Sequence, residues 1–501
     1  MAMADPCLTG VRAMREQAFG ELAAAMPAAN LDAAARCGER LRAALPHQDK
    51  LDRNLVMVAY GGGKDSAYTL AFVRAMQLIL YRSVGSTFRL RVATNRHAGM
   101  PRAVLENIDR EYRALRLPAD EACELLLIDG DEVSEFDVDS PQRPHIVRRN
   151  RVDILMTGHR TFGDGRPTFC NACNLSVVNA LGLAAGYGAG ADLIITGDSK
   201  QEQRQYTLWV GRLARQLVPD RAAVGVGLGR FLSTVDNIAQ TYFADIHGEQ
   251  AAIAERRVRH DVPERLRFFS IYSDTEYASG DHMELLTGFL GFEFDDIAFS
   301  FTESDCGNPA LMAHLRGLKC ERVYQRPYAE GMREYVDFAV GLMRSKDFPD
   351  QLIEQVQARY ASPAALAEMR QAAEVYAQQT FGLTEAQLVC LVYSPFAEKG
   401  AGLAGFLRRE HPRLADSLEE IQLLLADQLP DAPELVAELE RISGLSMAQL
   451  RLLYRSSLTG RRAGERAGII DALLADDPHK AVIQTRHSSD GPATAEQISG
   501  R

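Results

Sequence analysis

A glycine-rich segment of the chain combines residues suited to binding a polyphosphate: Gly61-Gly62-Gly63-Lys64-Asp65-Ser66. Three consecutive glycines let a backbone turn approach an anion closely and adopt φ angles that a Cβ atom disfavours. Lys64 supplies a positive charge, Ser66 a hydroxyl group, and Asp65 a carboxylate that can help to hold Mg²⁺. The segment is not a Walker A loop, because Asp65 follows the lysine where serine or threonine is required. These residue types predict a site for the phosphate chain of a nucleotide.

The elements that must position this segment are a strand before it and a helix after it. Leu55–Tyr60 is an apolar run typical of a buried strand, and residues 67–80 have a helical pattern. The unpaired N–H groups and the dipole at the start of such a helix favour a phosphate. Similar alternations of strand and helix follow. Further strands are predicted at Phe88–Thr94, Glu124–Asp129, Leu193–Thr196 and Phe268–Tyr272, with Val152–Thr157 assigned to a helix. This order predicts an α/β fold with a parallel, five-stranded, doubly wound sheet.

A second candidate site is the cysteine pair Cys170 and Cys173, which are separated by two residues. Two thiolates at this spacing can bind one metal centre, because the turn brings both sulfur atoms to one side. The spacing alone leaves zinc, an iron–sulfur cluster, a redox dithiol and a purely structural pair open. A thioredoxin-like dithiol does not fit, since such a pair follows directly on a strand in a much smaller fold.

The glycine-rich segment is similar to the SGGKDS loop of the PP-loop ATP pyrophosphatases, with Tyr60 in place of the usual leading serine. Within that family the chain most closely resembles the branch that thiolates tRNA. Members of that branch have a CxxC pair and one later cysteine, which precedes a helix with histidine and arginine. Here Cys306 is followed by a predicted helix that carries His314 and Arg316. The resemblance covers residues 50–330 and implies a PP-loop domain of the Rossmann-like HUP fold.

The resemblance implies that Lys64, Asp65 and Ser66 are catalytic residues. It also implies a nucleotide site made of the loop and of strand ends. The implied ATP-binding residues are Ala59, Tyr60, Gly61, Gly62, Gly63, Lys64, Asp65, Ser66, Thr94, Gly197 and Asp198. Asp198 stands where the family has a histidine, so the polar groups around the nucleotide differ from those of the family.

The resemblance further implies that Cys170, Cys173 and Cys306 hold a [4Fe–4S] cluster. Three thiolate ligands leave one iron open to bind and deliver sulfide. Zinc is the alternative, because soft sulfur ligands suit both metals. Cys320, fourteen residues after Cys306, would complete a four-cysteine zinc site.

The chemistry that the resemblance implies is adenylation by ATP and Mg²⁺, with release of pyrophosphate. If sulfide bound to the cluster then displaces AMP, the protein is an ATP-dependent sulfurtransferase that requires a sulfur donor. The alternative is a PP-loop amide ligase or amidotransferase, with ammonia or an amine as nucleophile and a structural zinc site. A third hypothesis is a nucleotide-binding regulatory protein that has lost the chemistry.

The substrate remains open between tRNA and a biosynthetic small molecule or carrier-bound acyl group. The net charge of −11 argues against general binding to nucleic acid. Basic clusters at Arg148–Arg151, Arg256–Arg259 and Arg461-Arg462 are either solvated helix faces or contacts for phosphates. For the C-terminal helices, two roles are open: a module that forms a homodimer, or a lid.

A length of 501 residues exceeds what one hydrophobic core usually supports. The predicted organisation has a helical N-terminal segment (1–50), a PP-loop domain with the cysteine site (51–340), an all-helical C-terminal domain (346–486) and a disordered tail (487–501). No uninterrupted apolar run approaches the roughly 20 residues that span a bilayer, and no signal peptide is recognised. These features predict a cytoplasmic protein without membrane contact.

Overall fold

A computed structural model describes most of the chain. The described residues are 6–197, 200–218, 227–248, 253–275, 282–295, 297, 307–345, 348, 350–429, 432–459, 468–475 and 480–499. The predictions for Asp198 and Cys306 concern residues outside these ranges.

The centre of the fold is a six-stranded sheet. Its strands are β1 (Leu55–Tyr60), β2 (Arg89–Asn95), β3 (Cys123–Asp129), β4 (Glu132–Glu135), β5 (Leu193–Ile195) and β6 (Arg267–Phe268). The spatial order is β4-β3-β2-β1-β5-β6, and only the β3–β4 pair is antiparallel. The mixed α/β architecture and the five parallel strands confirm the prediction from the sequence. The antiparallel β4 was not predicted, because a short hairpin strand with polar residues resembles a loop.

Helices flank the sheet and extend well beyond it. The first group comprises α1 (Pro6–Ala25), α2 (Ala28–Ala44), α3 (Lys64–Val84), α4 (Arg102–Ala114), α5 (Pro144–Thr161), α6 (Asn171–Gly186), α7 (Lys200–Leu217) and α8 (Leu228–His247). The second comprises α9 (Pro309–Leu318), α10 (Tyr328–Ser345), α11 (Asp350–Ala358), α12 (Pro363–Phe381), α13 (Glu385–Tyr393), α14 (Leu403–Glu410), α15 (Leu418–Leu425), α16 (Pro433–Ser443), α17 (Met447–Arg455) and α18 (Ile469–Ala475). Single π-helical turns lie at Arg166–Cys170, Glu284–Phe289 and Lys319–Val323. Residues 152–157 lie inside α5, as predicted.

Each face of the sheet is covered by its own hydrophobic core. Side chains alternate between the two faces of a strand, so Met57 faces one core and Val56 and Val58 face the other. The core around Val58 is built from α1, α2, α3 and α4. The core around Met57 includes residues of α5, α6 and α8. Burial on both faces explains why the parallel strands are nearly continuous apolar runs.

The C-terminal helices do not form the separate domain that the sequence predicts. They share the core around Met57, which also contains Phe396. Direct hydrogen bonds join the two parts: the Tyr376 hydroxyl donates to the carbonyl of Gly99 at 2.8 Å, and the Phe162 N–H donates to the Ser394 hydroxyl at 3.1 Å. An amphipathic pattern predicts that a helix buries one face, but it does not identify the partner of that face.

The end of the chain also differs from the prediction of a disordered tail. Two antiparallel strands, β7 (Lys480–Arg486) and β8 (Ala493–Ser499), form a hairpin. Glu496 of β8 accepts hydrogen bonds from Arg316 at 2.9 Å and from Lys319 at 2.5 Å. These charge-assisted contacts are formed with α9 and the turn after it, about 180 residues earlier in the chain, so the polar local sequence does not reveal them.

The ion pairs of Glu496 predict a pH-dependent contribution to stability. Burial alone would raise the pKa of this carboxyl, but Lys319 and Arg316 outweigh burial and lower the pKa to about 2. A carboxylate with a lowered pKa stabilises the fold above its ordinary pKa of 4.5, and this contribution is lost as the pH falls towards 2. We expect Glu496→Gln to lower the melting temperature at neutral pH, with the difference from wild type shrinking below pH 4.5. Thermal unfolding followed by circular dichroism between pH 3 and 7 measures this difference in melting temperature.

The exposed Asp490, in the turn of the same hairpin, provides the control. Asp490→Asn is expected to unfold like the wild type at every pH. A constant difference between Glu496→Gln and wild type across the whole range would contradict the assignment.

One helical segment, Arg166–Gly186, is long and apolar enough to cross a membrane by length and composition alone. It consists of a π-helical turn and α6, which packs against β2, β3 and α8. Core helices that lie on a sheet commonly have this composition, and the segment contributes Phe169 and Val178 to the core. The predicted cytoplasmic location stays a prediction.

Candidate nucleotide and cysteine sites

The glycine-rich loop lies at the point where the sheet topology changes direction. From β1 the chain proceeds to β2 and β3 on one side, whereas β5 and β6 lie on the other side of β1. Ligands of open α/β sheets commonly bind at such a position, beyond the carboxyl ends of the strands. Gly61–Gly63 connect β1 to the first residue of α3, Lys64. No side chain of the described residues caps the N-terminus of α3. Its first N–H groups therefore have no side-chain acceptor there, and they point towards the loop.

Gly62 is the residue that fixes the shape of this loop. Its φ is +74°, which favours glycine. A Cβ atom built on Gly62 would lie 2.7 Å from Val104 Cγ1 and 2.8 Å from Ile108 Cδ1, both on α4. At Gly61 and Gly63, no atom of the described residues other than their chain neighbours lies within 4 Å of the equivalent position. The loop therefore packs on α4 at Gly62, whereas its two other glycines have no such contact with the described part of the chain.

This contrast predicts different effects for two alanine substitutions. We expect Gly62→Ala to lower the free energy of unfolding by about 1–3 kcal/mol, because alanine is strained at positive φ. Gly61→Ala is expected to leave the free energy of unfolding nearly unchanged. Urea denaturation of the two variants measures both values. Equal loss in both variants would show that the loop does not depend on the conformation of Gly62.

Lys64 is the buried cation of the loop, with 6% of the residue exposed. Its Nζ lies 2.8 Å from Asp65 Oδ1, whose side chain is 40% exposed. The same Nζ lies 5.5 Å from the ring centroid of Phe348, a distance at which a cation and an aromatic face attract each other. The Ser66 hydroxyl donates to the carbonyl of Gly63 at 2.8 Å, which closes the first turn of α3. Phe348 was not identified from the sequence, because it lies almost 300 residues from the loop.

The carboxyl end of β5 approaches the loop through Gly197. A Cβ atom at Gly197 would lie 3.8 Å from both N and Cα of Ser66. Its carbonyl accepts a hydrogen bond from the Tyr272 hydroxyl at 2.8 Å, and that hydroxyl is also 3.2 Å from Thr69 Oγ1 of α3. The structure therefore brings together the predicted residues Lys64, Ser66 and Gly197.

The other predicted nucleotide-binding residues on β1 and β2 lie on different faces of the sheet, because side chains alternate along a strand. Tyr60 and Thr94 are register partners, and both point into the core beside α4, where the Thr94 hydroxyl is 3.0 Å from that of Tyr112. Only their backbone atoms face the sheet edge. Ala59 is on the opposite face and is partly exposed.

Asn95, one residue beyond Thr94, lies on the same face as Ala59 and was missed by the sequence analysis. Both amide atoms of its half-buried side chain are inaccessible and have no hydrogen-bond partner among the described residues. An amide group can donate to and accept from the edge of a purine base. Successive side chains of a strand point to opposite faces of the sheet, so Asn95 and Thr94 lie on different faces. This alternation was the sequence signal that could have identified Asn95.

The cysteine pair lies at the start of α6. Cys170 ends a π-helical turn and precedes the first residue of α6, and Cys173 lies in the first turn of that helix. Cys170 is buried and Cys173 is partly exposed. A Cβ atom at Gly307 would lie only 2.8 Å from Cys170 Sγ. The residue that follows Cys306 in the chain therefore contacts the sulfur of Cys170.

The segment after Gly307 is held firmly at this position. The side chain of Asn308 accepts hydrogen bonds from the N–H groups of Ala310 and Leu311, which caps α9. Its amide nitrogen donates to the carbonyl of Ile297 at 2.6 Å. This capping residue is almost fully buried, so α9 begins directly beside Cys170.

The two candidate sites lie at the same edge of the sheet. The C-terminal end of α6 is near the amino ends of the strands, because Arg91 of β2 donates to the carbonyls of Ala184 and Tyr187. A helix of 16 residues extends about 24 Å, slightly more than the strands that it crosses. The start of α6, with Cys170 and Cys173, is therefore at the carboxyl edge, where the glycine-rich loop also lies.

Cys320 is not part of this cysteine site. It lies eleven residues after Pro309, in the π-helical turn that continues α9, so the helical rise separates it from the start of that helix by roughly 16 Å. Its Sγ is 3.8 Å from Glu334 Oε2. Burial is the main reason why the pKa of this thiol is raised to about 11. This separation argues against Cys320 as a fourth ligand beside Cys170 and Cys173, and the zinc alternative stays a prediction.

Arginines of the predicted basic clusters form internal ion pairs. Arg256 Nε lies 2.9 Å from Asp153 Oδ1, and Arg257 Nε lies 2.8 Å from Asp236 Oδ1. Arg149 donates to the carbonyl of Glu255 at 2.7 Å. These side chains stabilise the packing of α5 and α8. The arginines therefore have a structural role that does not depend on binding nucleic acid.

Comparison with protein-family models, with curated proteins and with solved structures found no match to this chain. The resemblance to the PP-loop ATP pyrophosphatases therefore stays a prediction from the motifs.

Proposed function

We propose that the protein binds MgATP at the glycine-rich loop and uses it to adenylate an oxygen atom of a carbonyl or amide substrate, with release of pyrophosphate. The observation that carries this proposal is the position of Lys64 and the N-terminus of α3 at the topological switch point of the sheet. A buried cation and a helix N-terminus at this position suit the phosphates of a nucleotide. The base and ribose would lie over Ala59 towards Asn95.

The residues of the loop have distinct roles in this reaction. The substrate oxygen forms a bond to the α-phosphorus, the bond from that phosphorus to the bridging oxygen breaks, and pyrophosphate leaves with the electron pair. Lys64 and the N–H groups of the loop stabilise the negative charge that develops on pyrophosphate. Asp65, which is partly exposed beside Lys64, is placed to orient Mg²⁺. A nucleophile then attacks the activated carbon, and AMP leaves with the former carbonyl oxygen.

We further propose that Cys170 and Cys173, with Cys306, belong to the step that supplies the nucleophile. Two thiols in one helical turn fit an iron–sulfur cluster, and the close approach of Gly307 to Cys170 requires a residue without a side chain. These cysteines would hold the cluster, and its chemistry would be to provide the sulfide that replaces the activated oxygen as AMP leaves, so that C=O becomes C=S. Because Cys173 is partly exposed whereas Cys170 is buried, one side of the pair is accessible.

The substrate that we favour is a small molecule or a carrier-bound acyl group rather than tRNA. Arg149, Arg256 and Arg257, which were candidates for phosphate contacts, are engaged in internal pairs. The net charge of −11 also opposes association with a polyanion.

Identification of the products of ATP cleavage tests the reaction class. Protein isolated without oxygen is incubated with ATP labelled at the α-phosphate, Mg²⁺ and sulfide, together with either bulk tRNA or a small-metabolite extract. AMP and pyrophosphate that form with one of these acceptors support adenylation. ADP and orthophosphate as the products would contradict it. Formation of AMP with tRNA but not with the metabolite extract would overturn our choice of substrate.

A further inference from the structure

Three helices of the second group bring a histidine and two glutamates together, outside the cysteine pair. His314 lies on α9, Glu374 on α12 and Glu385 at the start of α13. One ligand atom of each residue lies within 4.8 Å of the corresponding atoms of the other two. One imidazole nitrogen and two carboxylate oxygens at this separation can surround a single cation.

The imidazole of His314 is prepared for a ligand. The residue is fully buried, and its Nδ1 is 2.7 Å from the Tyr328 hydroxyl. Its Nε2 is also buried but has no hydrogen-bond partner in the described part of the chain. A buried polar atom without a partner is costly. Metal-bound histidines typically use one ring nitrogen for the metal and the other for a hydrogen bond that orients the ring.

The charge of the surroundings favours a cation. In the described part of the chain, four carboxylates and three guanidinium groups lie here, which leaves a net negative charge: Glu321, Glu374, Glu385, Glu410, Arg322, Arg370 and Arg409. Arg370 lies 3.1–3.3 Å from oxygens of three of these carboxylates, which is longer than a tight charge-assisted hydrogen bond. It also stacks on the ring of Tyr328 at 4.4 Å, so it retains a partner when a metal occupies the carboxylates.

The pKa values of these side chains are also consistent with a bound cation. Burial lowers the pKa of His314 to about 4, so its imidazole is neutral and has a lone pair to offer. The hydrogen bond with Glu385 and, after it, burial raise the pKa of Glu374.

We propose that His314, Glu374 and Glu385 form a binding site for a divalent transition-metal cation, with Zn²⁺ as the best match to one nitrogen and two carboxylate oxygens. The carboxylates are 34% and 29% exposed, which allows entry from solvent. The metal would join α9 to α12 and α13. It would thereby fix the helix whose first turn lies beside Cys170.

Zinc titration of the full-length Cys170→Ser/Cys173→Ser variant tests this site without interference from the two thiols. The protein is first freed of metal by dialysis against a chelator, and Zn²⁺ binding is measured by calorimetry. We expect one equivalent to bind. Adding Glu385→Gln should weaken binding at least tenfold, whereas Glu368→Gln, an exposed glutamate on α12, should leave it unchanged.

A second measurement keeps the proposal testable if the double cysteine variant does not fold. In the otherwise native chain, Zn²⁺ should raise the melting temperature of the wild type more than that of His314→Gln. Absence of zinc binding in the Cys170→Ser/Cys173→Ser background, equal affinity in Glu385→Gln, or equal thermal shifts would each overturn the proposal.

Discussion

Lys64→Ala is expected to slow the formation of AMP and pyrophosphate by about a hundredfold or more. Loss of one preorganised charge or donor that stabilises a transition state typically has an effect of this size. The fold should remain intact, because Lys64 pairs with the adjacent Asp65 and packs beside Phe348 rather than joining distant elements through ion pairs. Pyrophosphate release in the presence of the active acceptor measures the rate.

Lys50→Ala is the matched control, because Lys50 is an exposed lysine shortly before β1. It should release pyrophosphate at the rate of the wild type. A Lys64→Ala variant that releases pyrophosphate at the same rate as Lys50→Ala would remove Lys64 from the proposed site. Circular dichroism of both variants verifies that they are folded.

Cys170→Ser is expected to abolish the metal centre of the cysteine site. Oxygen-free isolation should yield wild-type protein that is brown and contains iron and acid-labile sulfide in equal amounts. The variant should contain neither, because the serine hydroxyl is a poor ligand for iron in a cluster. Colorimetric iron and sulfide analysis, together with the visible spectrum, measures this.

Cys320→Ala is the control for this prediction, since Cys320 lies at the far end of α9. It should retain the iron and sulfide of the wild type. Colourless wild-type protein with zinc that is lost in Cys170→Ser would favour the amide ligase over the sulfurtransferase. Iron and sulfide retained in Cys170→Ser would show that the cluster is bound elsewhere.

The central sheet was predictable because its signals are local. Continuous apolar runs such as Leu55–Tyr60 and Leu193–Ile195 occur in strands that are buried on both faces. The edge strand β6, with two exposed residues, is the exception. The loop was predictable for a similar reason, since the glycines, the lysine and the start of α3 are adjacent in sequence.

The parts that were not predicted depend on contacts between distant residues. Phe348 lies beside Lys64, and β8 is held by the pair of Glu496 with Arg316. The metal candidate likewise unites residues from three helices, none of which has a metal-binding spacing of its own. The sequence analysis named Thr94 and missed Asn95, because a motif gives the position along a strand, whereas the face of the sheet depends on register.

Equilibrium binding of MgATP tests the central claim most directly, because it requires neither the substrate nor the metal centre. In calorimetric titrations of the full-length protein, we expect one MgATP to bind per chain. We expect the affinity to fall at least tenfold in Lys64→Ala and to remain unchanged in Lys50→Ala. A wild-type protein that binds no MgATP, or a Lys64→Ala variant that binds it with undiminished affinity, would contradict the assignment of the glycine-rich loop as a nucleotide site.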